Sequence, residues 1–284
     1  MTKRQFGIST HLYHAQRLSR DHLLEIAAHG FETVEVFATR SHFDYHNPAA
    51  VADLQQWLAA AGLTLHAVHA PVMTAYQGGR WVGPLSLAST DADARAHAVE
   101  EAGRAIHIAR RIPVPVMVMH LGLPRTETST AGDSRAAGRR SIEELHGIAE
   151  PLGVQIAVEV IPNELSRAGS LVHFVEEELD GLDGRPVGVC LDFGHAHLDG
   201  DLIDAIETVS EHFITAHVHD NRGRSDDHLV PLEGTIDWPS ALTAVQKVGY
   251  EGPLMFEIGA HGSTKETLAR AQKARQRMER LLAS

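Results

Sequence analysis

Along the chain, short runs of β-branched and other apolar residues alternate with longer, more polar stretches in which apolar side chains recur near i, i+3 and i+4. The short runs predict strands over residues 5–10, 33–37, 64–69, 114–120, 154–160, 187–191, 213–219 and 253–258. The longer stretches predict helices, among them 19–29, 48–61, 90–111 and 239–248. Such alternation implies parallel strands, each returned to the same end of the sheet by a helical crossover. Eight units in succession predict an α/β fold, a (β/α)8 TIM barrel, with residues 1–284 as one domain.

Helices run into a glycine just before the next strand at Gly30, Gly62, Gly153 and Gly249. A residue with positive φ ends a helix at little cost, and the recurrence of one joint argues for one architecture throughout. An open doubly wound sheet would carry a glycine-rich phosphate turn after an early strand, and this sequence has none. Residues 78–84 and 124–138 read as longer loops; both follow strands and so lie on the face where such barrels build their sites.

Composition narrows the function. A hydrophobic content of 43% with 22% charged residues allows a sizeable core. The formal charge of −12 opposes binding to a phosphate backbone or an anionic membrane, so neither nucleic acid nor membrane is an expected partner. The opening MTKRQFGIST lacks an apolar run behind its basic residues, and no stretch approaches the roughly 18 apolar residues of a span. A cytoplasmic location is expected. The lone Cys190 excludes an intramolecular disulfide and reads as strand packing.

Histidine, at 20 residues, changes the picture through its placement. His69, His120, Glu159, Asp192, His217, His219 and Glu257 all fall at the C-terminal ends of predicted strands, which converge on one mouth in a barrel. A lone histidine after an apolar run, such as His120, reads most simply as structural. A carboxylate ending an apolar strand, as in IAVEVI or LMFEIG, must be paired or coordinate a metal, and several on successive strands make the bland reading a poor one. CLDFGHAHL places Asp192 and His195 on one turn, and period-two alternation puts His217 and His219 on one strand face. Asp226 and His228 form a D-x-H pair in the next loop. Mixed histidine and carboxylate ligands suit Zn, Mn, Fe or Co, and a carboxylate-rich subset also tolerates Mg. Glu35 on the second strand, with Arg40, Arg222 and Arg224 after strands, are candidates on the substrate side, although solvated charge is the simpler account of the arginines. His22, His29, His97, His107, His146, His173 and His212 fall on predicted helices and read as surface residues. His11, His66, His197 and His261 are ambiguous neighbours of the site.

The segments VHAP, VMHLG, VEVIPN, CLDFGHAHL, HVHDN, DDHLVPLEGTIDW and FEIG resemble the xylose isomerase-like barrel superfamily, over nearly the whole chain. That superfamily includes sugar-phosphate isomerases and epimerases, ketose 3-epimerases and endonuclease IV. The ketose 3-epimerase resemblance implies one metal on Glu159, Asp192, His217 and Glu257. The endonuclease IV resemblance implies up to three Zn on a larger set that adds His69, His120, His195, Asp226 and His228. The acidic balance and the HDN…DDHLVPLEGTIDW form favour the sugar branch, although Leu232 stands where that branch often has glycine.

The expected activity is therefore sugar or sugar-phosphate isomerisation or epimerisation with one Mn, Mg, Co or Zn ion. A proton leaves the carbon beside a carbonyl through a metal-stabilised enediolate, with Glu159 and Glu257 as acid and base and His195 assisting. Glu35, His219, Arg222 and Arg224 are the substrate-binding candidates. The alternatives are multi-zinc phosphodiester hydrolysis, a related sugar lyase or dehydratase, and a barrel that keeps metal for stability alone. The expected partner is a small carbohydrate; the sequence leaves open whether the chain forms a homo-oligomer.

Overall fold

Strands rich in Val, Ile and Leu can be buried on both faces only if helices cover one side and packed side chains fill the other. A computed structural model describes residues 4–124 and 132–283 and shows that arrangement. In chain order the strands are β1 (Phe6–Ser9), β2 (Thr33–Phe37), β3 (Thr64–His69), β4 (Met73–Gln77), β5 (Arg80–Pro84), β6 (Val116–Met119), β7 (Gln155–Glu159), β8 (Gly188–Asp192), β9 (Phe213–Val218) and β10 (Leu254–Phe256). All but β4 and β5 are parallel and close into one barrel in sequence order, with β10 pairing back onto β1. The chain folds as a (β/α)8 barrel.

The helices among the described residues are α1 (Arg20–Ala28), α2 (Pro48–Ala61), α3 (Ala92–Ile106), α4 (Arg135–Ala149), α5 (Ala168–His173), α6 (Phe193–Asp199), α7 (Leu202–Thr208), α8 (Trp238–Lys247) and α9 (Thr264–Ala283). Their starts follow capping chemistry: the side chains of Asn47, Asp91, Ser134, Asp201 and Asp237 accept from backbone N–H groups in the first turn. Gly30, Gly62, Gly153 and Gly249 all take positive φ, as their place before a strand predicts.

Three expectations need correction. Residues 78–84 are not a loop: β4 and β5 form an antiparallel hairpin with Ala75 opposite Val82 and Tyr76 opposite Trp81. Its two glycines at the turn, Gly78 and Gly79, hid the short alternating strands on either side. The expected loop 124–138 ends earlier, because Ser134 caps α4 and Gly138 is already helical; residues 125–131 lie outside the described residues. His146 is buried in α4 with Nε2 2.8 Å from the Arg185 carbonyl oxygen, because the segment before β8 folds over that helix, and His212 lies in the turn before β9 rather than on a helix.

The barrel holds two apolar layers. A large core lies between sheet and helices, and a small separate cluster of Ala67, Val116, Val118, Ala157 and Cys190 fills the lumen. Two register shifts set the phase of that lumen. Glu35 pairs with Ala67 although Val34 pairs with Leu65, and Cys190 pairs with Thr215 although Val189 pairs with Phe213. His66 and Ile214 are thus extra residues in β3 and β9, bulges of the kind that re-aim side chains beside a site. The His66 Nε2 lies 3.0 Å from Thr215 Oγ1 and ties the two irregular strands together.

The loop after β9 is fastened by one buried carboxylate. Asp220 accepts from the backbone N–H groups of Leu232 (3.0 Å) and Ile236 (3.2 Å) and from the Trp238 indole (2.8 Å). It fixes that loop so firmly that Leu232 is held at φ +76°, a conformation that costs a non-glycine residue roughly 1–2 kcal/mol. Asp220→Ala leaves these three donors and the Asn221 backbone N–H, also on Oδ1 at 2.9 Å, without their acceptor, and we expect a loss of about 3 kcal/mol in urea unfolding. A loss below about 1 kcal/mol would show that the loop is held by other contacts.

Candidate functional site

Side chains two residues apart on a strand share a face. The lumen residues Ala67, Val118, Ala157 and Cys190 are therefore in phase with His69, His120, Glu159 and Asp192 one step toward the C-terminal end. In the same way Thr33 leads to Glu35, Thr215 to His217 and His219, and Met255 to Glu257. The strand pattern alone thus carries these residues into one mouth.

Their burial is nearly complete: Glu35, Glu159 and Asp192 are 0% exposed and Glu257 is 3% exposed. At the centre stands His217. Its Nδ1 is 3.3 Å from Glu159 Oε1, 3.4 Å from Glu257 Oε2 and 4.0 Å from Asp192 Oδ2, whereas its Nε2 is 2.9 Å from Glu35. Asp192 divides its work: Oδ1 accepts from the His195 backbone N–H at 2.7 Å, and Oδ2 is buried without a hydrogen-bond donor. One ligand atom each from Glu159, Asp192, His217 and Glu257 lies within 4.8 Å of all the others.

Two further groups flank this one. His69 Nε2 and His120 Nε2 approach Glu159 Oε2 at 3.0 and 3.2 Å. On the other side His195 Nε2 and His228 Nε2 each lie 3.1 Å from Asp226 Oδ2, with His219 Nε2 3.7 Å from Oδ1. The side chain of Asp226 is 38% exposed and forms the open rim.

Backbone carbonyls orient these rings. His69, His195 and His228 each place Nδ1 within 2.8–3.1 Å of a carbonyl oxygen, of Ala70, Val160 and Glu257 respectively. A carbonyl only accepts, so Nδ1 carries the hydrogen and Nε2 is turned toward the cluster. His217 does the reverse, with Glu35 taking the Nε2 hydrogen and Nδ1 turned inward. A carboxylate or carbonyl behind each imidazole is the support that metal-binding histidines use.

Glycine leaves room for the arrangement. A Cβ at Gly194 would fall on the His219 ring, and one at Gly234 would meet the Asp220 carboxylate.

Electrostatics follow from the crowding. Burial pushes the Glu159 carboxyl up, but His217 and His120 outweigh it and hold it well below the usual range. Asp192 is lowered in the same way, burial being overcome by His195 and His219. Burial works against charge on His217 and His195 too, yet the carboxylates around them raise both well above the ordinary imidazole value.

The mouth opens into a cavity of about 390 Å³ lined by His69, His120, His195, Asp226, His228 and Glu257 among others. Of the arginines expected near substrate, Arg224 lines this cavity. Arg222 is exposed, with its backbone N–H on Asp227, and Arg40 lines a different cavity beside Arg17. Glu35 lies beneath the cavity, against His217. His11, ambiguous in the sequence, joins the cavity wall, and His261 sits at the rim with Nε2 2.6 Å from the Asp227 carbonyl oxygen. Asp220 and the hairpin residue Trp81 were missed; the only signals were the tryptophan that ends EGTIDW and the GG turn.

Residues 23–283 match the family described as xylose isomerase-like TIM barrel. The chain belongs to that family. Among relatives of this xylose isomerase-like barrel, D-psicose 3-epimerase of Ruminiclostridium cellulolyticum is 26% identical over 243 residues, covering 82% of this chain and 75% of the relative. A D-tagatose 3-epimerase-like protein superposes with a TM-score of 0.78 at 24% identity, covering 98% of this chain and 97% of the other. An IolI protein with a bound zinc atom gives 0.75 at 17% identity, covering 97% and 98%. No helix among the described residues is long and apolar enough to cross a membrane.

The histidine pairs make stability depend on pH. Burial lowers His69 and His228, but Glu159 and Asp226 more than offset it and hold them up to about 9 and about 10. Both folded values exceed the unfolded value near 6.5. The contribution is therefore complete below about pH 6.5 and is lost as pH rises through 9 to 10. Chelator-treated protein should show a falling Tm between pH 7 and 10 in a thermal melt. A flat or rising Tm would mean that these rings are neutral in the fold.

Proposed function

We propose that this barrel is a metal-dependent sugar isomerase or epimerase acting by proton transfer beside a carbonyl. One observation carries the reading: Glu159, Asp192 and His217, on three strands, and Glu257, just beyond a fourth, turn ligand atoms to within 4.8 Å of one another in a nearly dry site. The residues fit a cation. Asp192 Oδ2 is buried without a donor, His217 presents Nδ1 to three carboxylates, and Glu35 holds its far side. Hard oxygens with one imidazole suit Mn, Mg, Co or Zn. The zinc bound to IolI and the sugar epimerases among the relatives point the same way.

When bound, the cation supplies positive charge at the sugar carbonyl oxygen, where negative charge develops. Glu159 on β7 and Glu257 just beyond β10 reach the site from different parts of the ring, so one can take the proton and the other return it. Return to the same carbon from the opposite face is epimerisation; return to its neighbour is isomerisation. His195, which Asp192 and Asp226 raise above the ordinary imidazole value against its burial, lines the cavity and is placed to donate toward substrate oxygen. Arg224 lines the cavity and serves the substrate, whereas Arg222 acts only if its exposed side chain swings inward. His219, expected on the substrate side, is instead fully buried off the cavity wall, with Nε2 3.0 Å from Asp192 Oδ1, because the strand end turns it behind the Asp226 loop. The charge of −12 agrees with a small carbohydrate rather than nucleic acid as partner.

A second reading is favoured by the flanking groups. His69 and His120 with Glu159, and His195, His219 and His228 with Asp226, each bring ligand atoms within 4.8 Å, as two or three zinc ions activating water against a phosphodiester would need. Metal analysis of protein purified without added ions separates the two. One equivalent of Mn, Mg or Co supports proton transfer, and two or three of tightly held Zn support hydrolysis. Solvent deuterium should enter a ketose from a panel, and Glu257→Gln should slow that exchange at least about 100-fold. No exchange into any sugar, together with cleavage of abasic DNA, would overturn the first reading.

Glu35→Gln keeps the shape but weakens the acceptor behind His217. Metal affinity, followed by competition with a chelator dye, should fall about 10- to 100-fold. An unchanged affinity would remove Glu35 from the supporting role.

A further inference from the structure

The cavity above the carboxylates is two-sided. Its inner end is the histidine and carboxylate cluster; its outer wall is formed by Phe37, Met73, Trp81, Leu123, Pro162 and Leu198. These come from the end of β2, the hairpin that follows β3, and the segments that follow β6, β7 and β8, whose strands are neighbours around the barrel. Outside the cluster, the hydrogen-bonding side chains on the lining among the described residues include His11, Arg224 and Ser225, with Asp199 already 3.6 Å from Arg167. A polyhydroxylated chain laid against this wall would exchange water for surfaces that offer few hydrogen bonds. The volume, about 390 Å³, is that of a pocket for a drug-sized ligand.

Trp81 is the distinctive member. It is half-buried and framed by Tyr76, His14 and Phe37, with ring centroids 4.9, 4.9 and 5.9 Å away. Such packing holds a large flat side chain in one position at the cavity wall, where it costs little entropy to stack another ring.

We infer that the substrate of this site is a keto sugar carrying an apolar ring as substituent, and that Trp81 on the hairpin is the specificity residue that holds the ring. The inference rests on the carbonyl-sugar reading for the inner end of the cavity; the outer end is argued independently, from its own lining. The sugar enters with its carbonyl toward Glu159 and Glu257. The ring stays between Trp81 and the wall of Leu123, Pro162 and Leu198.

The test uses the full chain loaded with Mn and two closed-ring probes without a carbonyl, phenyl and methyl β-D-glucoside, titrated by calorimetry. Phenyl glucoside should bind at least about tenfold more tightly than methyl glucoside, equivalent to about 1.4 kcal/mol. Trp81→Ala should bring the two affinities together, Trp81→Phe should retain most of the preference, and Trp57→Phe on α2 should leave it intact. Mn affinity measured on each variant reports whether the site is still assembled. Equal affinities in the unaltered protein, or a preference that survives Trp81→Ala, overturns the inference. Deuterium exchange into simple ketoses with no phenyl preference also overturns it while leaving the proposed reaction standing. A Trp81-dependent preference without exchange into any ketose supports the ring subsite and removes the proposed reaction instead.

Discussion

Four carboxylates packed against one imidazole in a site that water barely reaches is the condition to which the rest of this molecule answers. Glu35, Glu159, Asp192 and Glu257 repel one another, and burial strengthens that repulsion. Such a group persists only where positive charge is supplied at its centre and where rigid surroundings forbid the side chains to turn away. His217 contributes by turning Nδ1 toward three of them while Glu35 holds its far side, and a divalent cation held there would supply that charge. The rigidity comes from the barrel, whose strands fix each Cα before any side chain is placed.

The supporting structure can be followed outward from this point. The bulges at His66 and Ile214 bring β3 and β9 into the phase that aims His69 and His217 inward, and the His66 to Thr215 contact locks them together. Backbone carbonyls at the strand ends then orient three rings, each holding an Nδ1 hydrogen and leaving Nε2 toward the cluster. Asp220, lying directly after this array, draws the next loop down so that Asp226 and His228 close the rim. Leu232 in a left-handed conformation measures how strongly that loop is determined by its anchor rather than by local preference.

How much of this could be read from the sequence depended on range. Strand periodicity is a local property, so the barrel and the row of residues at its mouth were legible: IAVEVI and LMFEIG state both burial and charge within six letters. The pairing of His217 with Glu35, 182 residues away, was not, because nothing local marks which carboxylate stands behind which imidazole. Bulges escaped for the same reason, since His66 in TLHAVH satisfies an alternating pattern whether or not an extra residue is present. Asp220 looked like one more polar residue in HVHDN; only the fold reveals three donors from residues 12 to 18 positions later. The hairpin was concealed by its brevity. Its strands carry polar residues such as Thr74 and Gln77 and turn through two glycines, which is also what an irregular loop looks like.

That hairpin shares no ladder with the barrel: it forms a two-stranded sheet of its own, attached by the Tyr76 N–H on Ser41 and by ring contacts. An excursion of this kind can be lengthened, shortened or exchanged without disturbing any strand that aims a charged side chain. The charged cluster and the hairpin side of the cavity therefore reside in parts of the chain that are free to diverge at different rates. A scaffold so divided can change one wall of its cavity by grafting a dozen residues, while the carboxylate end is inherited intact.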